Sequence, residues 1–193
     1  MKNTIIITIL ILSFISCKAQ QVVNINTFTS GNNAGKYYKD IDNVFDNFLG
    51  TWEYQNNNTI FRVHFTKLTK KEFGNGNSPS YYSDMIIGHY IKVEVLPNGD
   101  ENIIYTSDKP VLNDAERNHW PEDVIIFSDT SIGIGLSGSI MDNVEDDNLQ
   151  WGTLTCEIIQ GSNPSQMTWK VDGYNLGGRN FRIPTDIIMT KIN

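Results

Sequence analysis

The sequence predicts an all-β fold, either an antiparallel β-barrel or a β-sandwich, with one short helix near the N-terminal end. From Gly50 onward, apolar residues recur with a period of two, which is the side-chain period of a β-strand. These apolar runs are short and are separated by segments rich in Asn and Gly, residues that favour turns. The chain of 193 residues has 39% hydrophobic residues, which fits a single domain with a core of its own.

The N-terminal segment, residues 1–19, is typical of a signal peptide. Lys2 precedes an apolar run over residues 5–15, which is shorter than the roughly 20 residues of a transmembrane helix. The residues leading to Cys17 are similar to a lipobox, in which Cys17 would be lipidated and become the first mature residue. Cleavage by an ordinary signal peptidase after Ala19 is the alternative. We therefore expect an exported protein of the cell envelope, anchored by lipid at Cys17 or, in the alternative, secreted or periplasmic.

Residues 20–36 are polar and rich in Asn and Gly, so we expect a flexible tether between the anchor and the domain. A single all-β domain is expected over residues 37–193. It opens with a short helix predicted over residues 37–49, because apolar residues recur there at the spacing of one helix face. The residues of that face are Ile41, Val44, Phe45 and Phe48.

Nine strands are predicted at short spacing after this helix, which is typical of an antiparallel barrel or sandwich. A turn over residues 96–100 joins two of them in a hairpin. The longest irregular segment is the loop over residues 109–123. The predicted strands cover residues 51–54, 61–65, 85–93, 103–105, 124–127, 132–140, 150–160, 166–171 and 186–191.

The composition excludes several classes of function. The net charge of −7 disfavours nucleic acid as a partner, because binding to phosphates depends on clustered Lys and Arg. Cys156 has no partner once Cys17 is acylated or removed, so we expect a buried free thiol and no disulfide framework. His64 and His89 lie in the middle of separate strands without an adjacent carboxylate, and we predict neither a metal site nor a cofactor.

The Gly50-Thr51-Trp52 motif at the start of the first predicted strand resembles the opening of the lipocalin and fatty-acid-binding-protein superfamily. In that superfamily the tryptophan closes the base of a barrel, and an arginine near the final strands packs over it. The resemblance implies a lipocalin-like barrel with structural roles for Gly50 and Trp52, and it makes Arg179 and Arg182 candidates for that arginine.

Over its whole length the chain is similar to an uncharacterised family of small Bacteroidetes-type lipoproteins. The resemblance implies the same location in the cell and brings no activity with it. It rests on residues 16–20 at the end of the signal, 50–54, 58–61 and 184–191.

The function that we expect is non-catalytic binding of a small apolar or amphipathic ligand inside a barrel. The candidate lining consists of aromatic residues on predicted strands, namely Tyr90, Tyr105, Trp151 and Trp169. The alternative is an interaction module with a filled core, which binds an envelope protein or a glycan through the 109–123 loop. Its candidate contacts are Arg117, His119 and Trp120. Catalysis is the least favoured function, because no catalytic residues are evident. We expect the protein to contact the membrane only through its lipid anchor.

Overall fold

The computed structural model describes residues 20–29, 31–74, 80–107, 125–129, 135–145, 148–173 and 181–192. Within these ranges the chain forms eleven strands and two short 3-10 turns, so the predicted all-β class is confirmed. The strands are β1 Gln21–Asn24, β2 Lys36–Lys39, β3 Gly50–Asn56, β4 Thr59–Phe73, β5 Tyr81–Val95, β6 Glu101–Thr106, β7 Ile125–Asp129, β8 Gly135–Glu145, β9 Asn148–Ile159, β10 Gln166–Gly173 and β11 Asp186–Lys191. No helix in the described ranges is both long enough and apolar enough to cross a bilayer.

All eleven strands belong to one mixed sheet. Its neighbours follow the order β1-β2-β5-β4-β3-β11-β10-β9-β8-β7, and β6 pairs with β5 outside this path. The pairs β1–β2 and β2–β5 are parallel, and all other pairs are antiparallel. The long strand β5 also pairs with β7, from Gly88↔Ile125 to Ile86↔Phe127.

Each of the nine predicted strands has a counterpart among β3 to β11. Strands β1 and β2 were not predicted, and β1 lies in the segment expected to be a tether. It pairs in parallel with β2, and Ile25 in the 3-10 turn that follows is only 2% exposed. The apolar run of this segment is too short to give a period-two signal, although Val23 packs against the core and Ile25 belongs to it.

The helix predicted over residues 37–49 does not form, and no α-helix is present in the described residues. The chain instead makes strand β2 and a 3-10 turn over Val44–Asn47. Asn43 adopts a left-handed conformation with φ of 53°, and the Asp40 carboxylate accepts the amide hydrogens of Val44 and Phe45 at 2.8 and 3.2 Å. The apolar spacing is nevertheless meaningful, since Phe45 and other members of the predicted face are buried in the core.

Most of the core lies on one face of the sheet, where the strands supply alternate side chains. Cross-strand neighbours share this face, as in the row formed by Trp52, Val63 and Tyr90 on β3, β4 and β5. The largest fully buried side chains of this cluster are Trp52, Trp169, Tyr38, Phe45, Phe48, Phe61 and Phe65. Ile60 and Val93, which are paired on the opposite face, are buried as well.

Candidate functional site

Trp52 is a fully buried member of the core. It is 0% exposed, and its indole nitrogen donates a hydrogen bond to the carbonyl of Phe48 at 2.6 Å. The ammonium nitrogen of Lys191 lies 5.5 Å from the centre of the Trp52 rings and donates to the carbonyl of Asn47 at 3.4 Å. Gly50, which begins β3 with φ of 102°, allows the chain to turn from the covering segment into the strand.

Within the described residues, the cation over Trp52 is therefore Lys191, a lysine from β11. The backbone amide of Arg182 instead donates to a carboxylate oxygen of Asp142 at 2.6 Å, 40 positions away in the chain. Arg179 lies outside the described residues.

A cleft of about 370 Å³ lies at the opposite end of β3 and β4, next to the hairpin that joins them. Apolar side chains and polar groups both contribute to its wall, so the cleft suits an amphipathic occupant. The residues that matter for its chemistry are Tyr54, Phe61, Lys92, Pro184, Asp186 and Ile187.

Lys92 supplies a positive charge at this cleft. It is directly opposite Phe61 on β4 and Tyr105 on β6, so all three share the core-facing side of their strands. Its ammonium nitrogen lies 5.8 Å from the centre of the Tyr105 ring. Among the residues that the structure describes, no carboxylate forms an ion pair with Lys92.

The carboxylate of Asp142 is a buried polar group in contact with Tyr90. Asp142 is 1% exposed, and its Oδ1 accepts a hydrogen bond from the hydroxyl of Tyr90 at 3.0 Å. Its Oδ2 accepts the backbone N–H groups of Arg182 and Ile183 at 2.6 and 3.3 Å. Burial, reinforced by the negative charge of Asp142, raises the pKa of Tyr90 well above its ordinary value.

Tyr105 differs from Tyr90, because its buried hydroxyl has no hydrogen-bond partner within the described part of the chain. Burial raises the pKa of Tyr105, and the nearby charge of Asp142 acts in the same direction. The hydroxyl is therefore a neutral donor whose hydrogen bond is unused. Such a group stabilises an added acceptor more than an exposed hydroxyl would, since it is already removed from water.

Three of the four predicted ligand-lining aromatics come together behind the cleft. Phe61 contacts both Tyr90 and Trp169, with ring centres 5.8 and 5.5 Å apart, and Tyr90 lies 6.0 Å from Tyr105. The indole of Trp169 donates to the carbonyl of Pro184 at 2.8 Å, which fixes one wall of the cleft. Trp151, on β9, is 45% exposed. A direct role of these four side chains in ligand contact stays a prediction.

Lys92 and Asp142 were missed by the sequence analysis. Asp142 opens an acidic run that suggests a solvated loop, but it lies in β8 and is buried. The usable signal was the period of two through Leu136 and Ile140, which continues to Asp142 and places it on the core face. Lys92 gave no comparable signal, because both faces of β5 carry apolar residues.

The remaining titratable candidates do not assemble into a reactive site in the described residues. His64 and His89 are directly opposite each other on β4 and β5, but no group of three metal-ligating side chains occurs in these ranges. Cys156 is fully buried, as expected, and burial raises the pKa of its thiol. The proposed lipid acceptor Cys17 lies outside the described residues, as do the interaction-loop residues Arg117, His119 and Trp120.

A family model matches residues 1–192, and its description reads "Family of unknown function (DUF6705)". The expectation of an uncharacterised family is confirmed at this level. Neither the curated proteins nor the solved structures contain a match to the chain.

Proposed function

The chain belongs to the DUF6705 family, which has no assigned activity, and we propose from its geometry that it is a non-catalytic binding protein for a small amphipathic molecule. The observation that carries this proposal is the cleft of about 370 Å³ beside Tyr54 and Phe61. This volume lies in the range of roughly 300–1,000 Å³ that is typical of ligand pockets. Phe61 packs against Tyr90 and Trp169 behind the cleft, and we place the ligand in the cleft itself.

Both a cation, Lys92, and an anion, Asp186, line the cleft. We propose a ligand with an apolar body and one anionic or hydrogen-bond-accepting group that lies beside Lys92. Phe61, Pro184 and Ile187 offer apolar surface to the body of the ligand. The Lys92 ammonium lies on the core-facing side without an ion-pair partner in the described residues, and it would bind a carboxylate, sulfonate or phosphate. The ring of Tyr105 lies 5.8 Å from the Lys92 ammonium, and its hydroxyl is buried.

We further propose that the sheet is a lipocalin-like barrel. The pairing of β5 with β7 supports this, because it links the ends of the path β5-β4-β3-β11-β10-β9-β8-β7. The tryptophan at one end, covered by a lysine of β11, and the cleft at the other end also fit the resemblance seen in the sequence. Hydrogen–deuterium exchange would test the closure, since the β7 amides that face β5 should be protected as strongly as those of β8.

Export to the cell envelope and lipidation of Cys17 belong to the same proposal. They are supported by the apolar N-terminal run and by the residues around Cys17. A Cys17→Ala chain should leave the membrane fraction if Cys17 carries the lipid. Complete retention in membranes would contradict the anchor without affecting the cleft.

The ligand proposal is tested first by native mass spectrometry of the protein purified from its own envelope, followed by denaturing analysis of any released molecule. A stoichiometric amphiphile is the expected result. The defined probes are dodecanoate and its uncharged analogue dodecanol, titrated by calorimetry. Lys92→Gln should weaken dodecanoate binding by about tenfold or more, because a charge-assisted hydrogen bond contributes roughly 1.5–3 kcal/mol.

Two matched variants make this titration decisive. Tyr54→Ala should weaken both probes, since it removes part of the cleft wall. Lys71→Gln removes a lysine from the opposite end of β4 and should change neither affinity. Equal losses for Lys92→Gln and Lys71→Gln, or the absence of binding to both probes by the parent protein, would refute the proposal.

A further inference from the structure

Strands β1, β2 and the beginning of β5 carry a compact group of tyrosine, lysine and valine side chains. Val22 on β1, Tyr37 on β2 and Tyr82 on β5 are consecutive cross-strand neighbours and therefore share one face. Lys39 lies two positions after Tyr37 and points to the same side. Lys70 joins the group from β4, with its ammonium nitrogen 5.7 and 5.4 Å from the two tyrosine rings. We refer to these five residues as the N-terminal face.

The N-terminal face is accessible and has no cover within the described residues. Val22 is 54% exposed on an edge strand, Lys39 and Lys70 are exposed, and both tyrosines are half-buried. Tyr38, the next residue on β2, points to the other side of the strand. It is 1% exposed and belongs to the core.

A buried carboxylate holds this face in place. Asp84 is 1% exposed, and its Oδ1 accepts hydrogen bonds from the Tyr37 hydroxyl at 2.6 Å and from the Lys70 amide at 3.0 Å. Its Oδ2 accepts the amide of Asp40 at 3.0 Å. Lys70 itself has φ of 55°, within a register shift of the β4–β5 pair. A non-glycine residue in this conformation is costly, and here it places a lysine over two aromatic rings.

The position of the predicted lipid anchor keeps the N-terminal face close to the membrane surface. Only Lys18, Ala19 and Gln20 lie between Cys17 and the first residue of β1. Even a fully extended chain spans at most about 3.5 Å per residue, so Gln21 lies within about 14 Å of a lipidated Cys17. With so short a connection, the face that contains Val22 cannot move far from the membrane surface.

The composition of the face suits that surface. Tyrosine rings are amphipathic and are enriched at membrane interfaces, and lysines extend their ammonium groups toward headgroup phosphates while their alkyl chains cover apolar surface. The chain as a whole has a net charge of −7, and Glu72, opposite Tyr82, is an exposed acid within the same row. Two further carboxylates adjoin the face: exposed Asp42, which accepts a hydrogen bond from Asn24 at 2.7 Å, and buried Asp84 beneath Tyr37. The fit to the bilayer therefore rests on the tyrosines and on the reach of the lysines, and not on a net positive charge.

We propose that the N-terminal face lies directly on the phospholipid surface, with Val22 at the interface and Lys39 and Lys70 bound to headgroup phosphates. The domain is then held in one orientation and is not suspended at a distance from the membrane. This inference rests on the lipid anchor at Cys17 and not on the ligand cleft. The cleft, at the end of β4 remote from Lys70, would face away from the bilayer.

The test uses the full chain with its anchor, reconstituted in vesicles of phosphatidylethanolamine and phosphatidylglycerol. Val22→Cys and, as a matched control, Ile188→Cys are labelled with an environment-sensitive dye; the control residue is 52% exposed on β11. The parent chain should take up no dye, because Cys156 is buried and Cys17 carries the lipid. We expect iodide to quench the dye at position 22 severalfold less than the dye at position 188.

A Lys39→Gln, Lys70→Gln double variant should bring quenching at position 22 close to the control, whereas dodecanoate binding should be unchanged. Equal quenching at positions 22 and 188 in vesicle-bound protein would overturn the inference, and so would a parent chain that does not associate with vesicles. Neither of these results depends on whether the cleft binds a ligand.

Discussion

The ammonium nitrogen of Lys191 lies 5.5 Å from the ring centre of Trp52, and the two residues are direct partners between β11 and β3. This contact joins the end of the chain to the first strand of the antiparallel part of the sheet. Trp52 is fully buried, and its indole nitrogen donates to the carbonyl of Phe48. Cation–π contacts of this kind contribute about 0.5–2 kcal/mol, so most of the stabilisation comes from burial of the indole.

Replacement of Trp52 by alanine should lower the free energy of unfolding by about 3–5 kcal/mol, because it leaves a cavity in the core. Chemical denaturation of the purified domain measures the change. Trp151→Ala is the matched control, since Trp151 is 45% exposed and should cost about 1 kcal/mol or less. Similar costs for the two tryptophans would show that Trp52 is not a buried member of the core.

Asp142→Ala should destabilise the protein by about 3 kcal/mol or more. The substitution removes the acceptor of the Tyr90 hydroxyl and of two backbone N–H groups, and each buried donor left without a partner costs about 1–3 kcal/mol. Tyr90→Phe should cost less, since it removes one hydrogen bond and keeps the ring. Asp172→Ala, at an exposed position of β10, should remain within about 0.5 kcal/mol of the parent in the same denaturation experiment.

Gly88→Ala should be destabilising although alanine is small and apolar. A β-carbon at this position would lie 2.6 Å from Cδ1 of Phe65, which is itself fully buried. Overpacking of this kind typically costs about 1–3 kcal/mol. Gly31→Ala provides the comparison, because no atom lies within 4 Å of its added β-carbon. If thermal unfolding shifts equally in both variants, the close packing of Gly88 against Phe65 is not a constraint.

Tyr37 should make stability depend on alkaline pH. Burial, with the hydrogen bond to Asp84, raises the pKa of Tyr37 from 10.0 to about 12. The folded-state pKa is thus above that of the unfolded chain, so the stabilisation is complete below pH 10 and is lost as the pH rises from 10 towards 12. Denaturation midpoints measured across this interval should fall less steeply in Tyr37→Phe than in the parent. An unchanged slope would mean that other groups cause the alkaline loss.

The strands β3 to β11 could be predicted because apolar and polar residues alternate along most of them, and this alternation is visible as a period of two. The same reasoning could not find β1 and β2. Val22 and Val23 are followed by Asn24, so the run is too short and too polar to be read as a strand. Its place depends on parallel partners that are distant in sequence, as shown by the pairing of Tyr37 with Tyr82.

The helix over residues 37–49 shows a different limitation. Residues spaced by three and four share a face in any compact turn, and the spacing does not say which groups accept the free amides. Here the Asp40 side chain accepts two of them and thereby favours a short 3-10 turn. The cleft could not be predicted either. Lys92 lies opposite Phe61 because of the strand register, and the register cannot be read from the sequence.

The partnership of β3 with β11 also sets a condition on how the protein folds. Until Asp186–Lys191 is available, β3 and β10 each present an open edge that could pair with another chain. The fold therefore has a high contact order, and we expect it to form slowly compared with a helical domain of the same size. Lengthening the loops between these strands should slow folding only slightly, because the entropy of closure grows with the logarithm of loop length.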